Sequence, residues 1–247
     1  MDPNNHKFGI EMKDGVPVSL SFDDVYFSKE GGWEESRYVF VEGNQIPSRL
    51  SASETKLLSI GELGFGTGLN VFVTLDLWLG AENPTSLEYF SLEGYPLTKE
   101  TLLTLNHSFP DKPLWTKPLL ESYEEQFQKW EMDPNQKEWK TEFLHPNGKA
   151  KFQVHLFFGD VSECLNEFPI IDFWYLDGFS PNKNPKMWSE DTLSQLRNHS
   201  KTGTRFATFT AAGFIRRNLE ILGFHIQKQK GFGKKREMLT GVLRSSS

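Results

Sequence analysis

Cysteine is almost missing from this chain: Cys164 stands alone among 247 residues. An intramolecular disulfide framework and a cysteine-built zinc cluster are thereby excluded. No run of about 18 apolar residues occurs, so no membrane span is expected. The first residues, MDPNNHKFGI, lack the charged-then-apolar layout of a secretory signal. The six histidines are scattered without metal-ligand spacing, so no metal is expected. These absences point to a cytoplasmic protein. What is present is ordinary globular composition, with 37% hydrophobic and 24% charged residues, which excludes a disordered or collagen-like chain. The length suits one large domain, or one domain with an appended lobe.

The formal net charge is −6, yet the stretch from Arg216 to Arg236 holds seven basic residues against one acid, Glu220. They are Arg216, Arg217, Lys228, Lys230, Lys234, Lys235 and Arg236. An acidic body with a basic C-terminal strip could attract a polyanion locally. A solvated, lysine-rich surface loop is the plainer reading of the same residues.

Residues 1–55 read as strands and turns, with β-rich runs at 16–20, 25–27 and 37–41, and form a β extension packed on the main domain. From residue 56 to 247 a βαβ rhythm takes over. Strands are expected at 57–60, 87–92, 152–158, 170–176, 205–210, 224–229 and 237–243. Helices are expected at 69–78, 98–106 with Thr98 as N-cap, 119–130, 188–197 and 211–222. The segment at about 107–150 fits the rhythm least and reads as an insertion; its Asn147-Gly148 pair signals a hairpin. Alternating strands and helices imply an α/β fold, a doubly wound and mostly parallel sheet. The last two strands are joined by a loop too short for a parallel crossover, so that pair should be antiparallel.

Gly61-Glu62-Leu63-Gly64-Phe65-Gly66-Thr67-Gly68 follows the first core strand and opens a helix. Its glycines allow close backbone approach to a ligand, and the helix N-terminus supplies unpaired N–H groups. The spacing of Gly64, Gly66 and Gly68 is G-x-G-x-G, not the G-x-G-x-x-G of dinucleotide sites. Glu62 would repel a pyrophosphate and attract an α-amino group. S-adenosylmethionine carries such a group and no phosphate. Further acids close successive strands, where ligands of such sheets bind. Glu93, about 25 residues past Gly68, could take two ribose hydroxyls. Asp160 could accept from an adenine amino group. Asp177 ends the strand beside the first one and faces the reacting end. Any one of these acids could instead be a helix cap or turn former.

The run from Asp177 to Trp188, DGFSPNKNPKMW, joins an acid, an aromatic and a proline at a strand end. It is similar to the loop with which amino-group methyltransferases hold a target amine, though a proline-rich turn is the structural alternative. Together with GELGFGTGLN, FDDVYFS, EESRYVFVEGN, FATFTAAGFIRRNL and KGFGKKREML, it makes the chain resemble the methyltransferase domain of the MnmC/MnmD family. The resemblance runs from about Val16 to Leu239. It implies a class I (Rossmann-like) methyltransferase using S-adenosyl-L-methionine. The implied reaction methylates the exocyclic amine of 5-aminomethyl-(2-thio)uridine at the tRNA wobble position. The family's fused FAD-dependent oxidase has no counterpart before Ser247, so FAD is not implied. A separate oxidase, or the enzymes that form the aminomethyl group, would be partners.

By motif position the resemblance assigns Gly64, Gly66 and Gly68 with Glu62 to the methionine end of the cofactor, Glu93 to the ribose and Asp160 to the adenine, with Asn70 also among the cofactor-binding residues. Asp177 falls at the catalytic carboxylate, and Phe179 could stack on the uracil. The amine must be neutral to react, and Asp177 can accept its proton. A tRNA partner gives the strip a purpose, with phosphate contacts from Arg216, Arg217, Lys230, Lys234, Lys235 and Arg236. Tyr26 could help receive the flipped base; for Trp188 core packing is the stronger expectation. A nicotinamide-dependent oxidoreductase is disfavoured by the loop spacing and Glu62. A methyltransferase of a small-molecule or protein amine, and a non-catalytic RNA-binding relic of the fold, remain alternatives.

Overall fold

Residues 9–28, 31–50, 56–109 and 111–245 are described by the computed structural model. The chain opens with three short strands, β1 (Ile10–Lys13), β2 (Val16–Ser19) and β3 (Asp24–Val25), which pair antiparallel in the order β1-β2-β3. Helix α1 (Gly32–Ser36) then runs without a break into a π-helical stretch, Arg37–Glu42, followed by α2 (Ile46–Leu50). The strand expected at 37–41 is thus corrected to helix. Val39, Phe40 and Val41 are all buried, which a strand with one wet face cannot achieve; a wide helical turn can. Trp33, Ser36, Val39 and Phe40 share a helical spacing that outweighs the β-branched composition of the run.

The main sheet is built from β4 (Leu57–Leu63), β5 (Ser86–Glu93), β6 (Glu138–Leu144), β7 (Lys151–Phe158), β8 (Ile171–Tyr175), β9 (Ser200–Thr208), β10 (Phe224–Lys230) and β11 (Glu237–Leu243). Its order is β10-β11-β9-β8-β4-β5-β7-β6. The five central strands are parallel, while β6, β10 and β11 run against their neighbours. The antiparallel final pair matches the expectation from its short loop. Strand order reverses on either side of β4, which opens the crevice where doubly wound sheets bind ligands.

Between the strands lie α3 (Leu69–Leu79), α4 (Lys99–Asn106), α5 (Lys117–Met132), α6 (Val161–Cys164), α7 (Glu190–Asn198) and α8 (Gly213–Ile221). Their apolar stripes build two cores, one on each face of the sheet. Leu69, Phe72, Leu75 and Trp78 of α3 pack with Trp33, Leu102 and Tyr123 on one face. Leu193, Leu196, Ile215 and Leu219 of α7 and α8 pack with Trp174 and Trp188 on the other. Local signals set several boundaries. Thr98 caps α4 by accepting from Thr101 N, and Ser189 caps α7 by accepting from Thr192 N. The segment 107–150 contributes α5 and the edge strand β6. Gly148, at φ +72°, makes the turn between β6 and β7. No described helix is long and apolar enough to cross a membrane.

Candidate active site

The first core strand ends where its backbone must turn sharply beneath a cleft. Gly64, Gly66 and Gly68 have φ of +93°, +54° and +77°, a left-handed region that side chains resist. A Cβ on Gly66 would lie 3.2 Å from the Tyr26 ring, so the glycine keeps the space between loop and ring open. Gly68 forms the cap of α3 and packs under Phe65, off the cleft wall. Above the loop is a cleft of about 360 Å³ along the carboxyl edge of the sheet. Gly64, Gly66, Asn70, Glu93, Asp160, Asp177, Phe179, Tyr26 and Lys235 all line it, so the structure brings together most of the residues singled out in the sequence.

Asp177 follows β8 and is held by two donors. Gly178 N lies 2.8 Å from Oδ1, and Asn70 Nδ2 lies 2.7 Å from Oδ2. Burial pushes its carboxyl up to about 6, against the pull of these hydrogen bonds and of the Lys235 charge. Glu62 does not line the cleft. It is 0% exposed beneath the loop, accepting from Ser91 Oγ at 2.6 Å and Asn70 Nδ2 at 2.8 Å. Burial first, with the Asp177 charge adding to it, pushes its carboxyl up to about 8. Glu62 therefore meets the cleft wall only through Asn70, whose amide it accepts from. Ser36 of α1 hydrogen-bonds the Asn70 Oδ1, which fixes the amide's orientation.

Glu93 ends β5 and accepts from Gly66 N and Tyr95 N, both at 2.7 Å. Burial raises its carboxyl pKa above the ordinary value. Gly94 N also donates to it, so three of its four lone-pair sites are engaged and one stays open to a hydroxyl donor. Asp160 caps α6 through Ser162 N at 3.0 Å and pairs with Lys186 Nζ at 2.6 Å. Burial opposes ionisation there, but the Lys186 and Ser162 hydrogen bonds outweigh it and hold the carboxyl low. Phe179 stacks on Phe22 with ring centres 4.6 Å apart and meets the Tyr26 ring edge-on at 5.1 Å. Burial raises the Tyr26 hydroxyl well above its usual range. Asp24 of β3 accepts from Ser180 N at 2.8 Å, tying the small sheet to the Asp177 loop. Trp188 is buried, and its indole donates to the Phe179 carbonyl, as core packing requires.

The basic residues divide. Because β11 is antiparallel to β9, with Leu239 opposite Thr208, the loop between β10 and β11 returns to the cleft edge of the sheet. Lys230, Lys234 and Arg236 are exposed on or beside that loop, outside the cleft. Arg216 and Arg217 begin α8 at the same edge, and Arg216 pairs with Glu220 at 3.6 Å. Lys235, itself exposed, with 44% of its side chain open, differs in lining the cleft and pairing with Glu35 at 2.6 Å. Glu35, Ser36, Phe22 and Lys186 are site residues that the sequence pattern alone did not single out. The helical spacing of Trp33, Ser36 and Phe40 is the signal that would have brought Glu35 and Ser36 to the cleft.

A class I methyltransferase architecture follows from the strand order, the glycine loop and the acids on its carboxyl edge. Residues 120–244 match the family described as S-adenosyl-L-methionine-dependent methyltransferase, and the chain belongs to that family. It is 40% identical over 236 residues to the tRNA 5-methylaminomethyl-2-thiouridine biosynthesis bifunctional protein MnmC of Aeromonas hydrophila, covering 92% of this chain and 34% of that protein. The protein of the same name from Leptospira borgpetersenii is 43% identical over 230 residues, covering 92% and 33%. The chain thus spans about a third of the length of these curated relatives. The crystal structure of MNMC2 from Aquifex aeolicus aligns with a TM-score of 0.66 at 23% identity, over 99% of this chain and 75% of that one, and shows the same fold.

Proposed function

We propose that the chain transfers a methyl group to the exocyclic amine of 5-aminomethyl-(2-thio)uridine at the wobble position of tRNA, giving the 5-methylaminomethyl form. The observation that carries this reading is Asp177, a half-buried carboxylate on the cleft wall, aimed by Asn70 and Gly178, in a cleft that also holds the Phe179–Phe22 stack. The names of the relatives supply the nucleoside. A tRNA substrate also implies a cytoplasmic location, and an enzyme that installs the aminomethyl group must act first.

The cleft suits S-adenosyl-L-methionine, the donor its family uses. The space beside Gly66 would be filled by a side chain, and Glu93 offers an acceptor to a ribose diol. Asn70 would meet the methionine end and Asp160, with Lys186, the adenine. The bound donor supplies a methyl already activated on a sulfonium, so the chain's task is chiefly positioning.

The acceptor amine must shed a proton before it can react. An alkylammonium resembling lysine has a reference pKa of about 10.4, and the enclosed cleft lowers this by disfavouring charge. Asp177 accepts the proton and orients the lone pair. Its oxygens are anchored by a backbone N–H and an amide, which leaves the remaining lone pairs for the amine. An entering uracil would extend the stack already formed by Phe22 and Phe179, with Tyr26 at its edge.

The test is incubation with methyl-labelled S-adenosyl-L-methionine and tRNA arrested at the 5-aminomethyl stage, followed by nucleoside mapping. Label in 5-methylaminomethyl-(2-thio)uridine is expected. Label on a protein or small-molecule amine, with none on tRNA, would overturn the reading.

A further inference from the structure

Lys235 departs from the other basic residues of its strip. Its Nζ donates to Glu35 Oε1 at 2.6 Å and lies 4.5 Å from the centre of the Phe209 ring, inside the cleft that holds Asp177. Glu35 is buried, with its side chain 11% exposed. Among the described residues Lys235 is its only ionic partner, and Oε2 accepts no hydrogen bond. Both charges are felt at Asp177, so all three groups share one small electrostatic neighbourhood. A carboxylate and an aromatic face around an alkylammonium make up a recognition site for a primary alkylamine.

We propose that Lys235 occupies the subsite of the acceptor's aminomethyl nitrogen, and that Glu35 is a second carboxylate selecting nucleosides that carry this amine. The inference rests on the acceptor assigned above and adds to it a specificity contact. An entering aminomethyl group takes the place of the lysine ammonium at Glu35. The amine binds as an ammonium, so one cation leaves as another arrives, and Glu35 keeps a charged partner until Asp177 takes the amine's proton for the transfer. The lysine lies on the loop between β10 and β11, whose other basic residues face outward.

This reading gives Lys235 the opposite sign from a simple phosphate contact. The experiment measures binding of the full chain, saturated with S-adenosylhomocysteine, to two tRNAs that differ only in the presence of the 5-aminomethyl group. The wild type should prefer the aminomethyl tRNA. Glu35→Gln should cut that preference about tenfold or more, the worth of a charge-assisted hydrogen bond, with little change for the plain tRNA. Lys235→Met should strengthen binding of the aminomethyl tRNA by removing its competitor. The double variant Glu35→Gln/Lys235→Met leaves no unpaired buried charge and should lose the preference as Glu35→Gln does.

Equal weakening of both tRNAs by Glu35→Gln would overturn the inference and reduce the pair to a clamp on the loop. So would weaker binding of both tRNAs by Lys235→Met with a flatter salt dependence. A wild type that methylates the aminomethyl tRNA, while the Glu35 variant keeps full discrimination, refutes this inference and leaves the proposed function standing. A wild type that neither prefers nor methylates that tRNA refutes both.

Discussion

The Asn70 side-chain amide donates to Asp177 Oδ2 across 2.7 Å, joining the first turn of α3 to the end of β8. The same nitrogen lies 2.8 Å from Glu62 Oε1, so one amide aims two carboxyls at once, one fully buried and one half-buried. The glycine loop and the Asp177 loop are thereby a single unit, not two neighbouring motifs.

Asp177 is expected to work as a carboxylate. With its carboxyl at about 6, kcat/KM for tRNA should rise as pH increases through that value. Asp177→Asn keeps the shape, removes the proton acceptor, and should remove this acidic limb along with about 100-fold or more of kcat. Cofactor affinity should change far less. Rate–pH profiles and cofactor titrations on both proteins check this. A variant that keeps its limb, or loses cofactor binding while turning over well, contradicts the role.

Glu62 makes a different prediction, about stability. Its folded carboxyl lies at about 8 against an ordinary 4.5, so the folded chain holds its proton more tightly than the unfolded one. The stabilisation is complete below about pH 4.5 and is lost as pH rises toward 8. The slope is at most roughly 1.4 kcal/mol per pH unit. Glu62→Gln can still accept from Asn70 and donate to Ser91, so it should flatten this dependence and be the more stable form at pH 8. Denaturant unfolding from pH 5 to 8 measures it. Equal slopes for the two proteins would count against a protonated Glu62.

Gly66 should be needed for the cofactor more than for the fold. Ala at φ +54° costs about 1 kcal/mol in backbone strain, and its methyl would crowd the Tyr26 ring at 3.2 Å on the cleft side. Gly66→Ala is expected to weaken S-adenosyl-L-methionine binding at least tenfold while Tm falls by only a few degrees. Calorimetry for binding and thermal melts for stability separate the two effects. A large Tm loss with intact affinity would make the loop structural.

Sequence pattern reached far into this fold because α/β chains write their strands as apolar runs. The strands expected at 57–60 and 170–176 were legible in this way, as was the antiparallel end from the length of one loop, although β4 runs on through Gly61, Glu62 and Leu63, which read as part of the glycine loop. The Arg37–Glu42 turn was misread because Val39 and Val41 favour strands locally, whereas burial of three successive residues is decided by tertiary packing. For the site, residues at strand ends were legible from their positions alone. Glu35 and its pairing with Lys235 were not, since a salt bridge across 200 positions leaves no local trace.

The outward-facing basic residues give the last prediction. Lys230, Lys234 and Arg236 lie exposed at the cleft edge of the sheet. If tRNA phosphates reach the cleft mouth, replacing the three together by alanine should weaken binding of every tRNA alike. The slope of log K against log salt should shrink by roughly 0.7–0.9 for each phosphate no longer neutralised. Lys151, at the start of β7 on the opposite edge and paired with Glu142, serves as the control and should leave the slope unchanged. The triple variant removes three charges and the control one, so the slope is compared per charge removed, and position is then what distinguishes them. A slope that falls equally for the control would reflect overall charge, and an unchanged slope in the triple variant would return the strip to a solvated face.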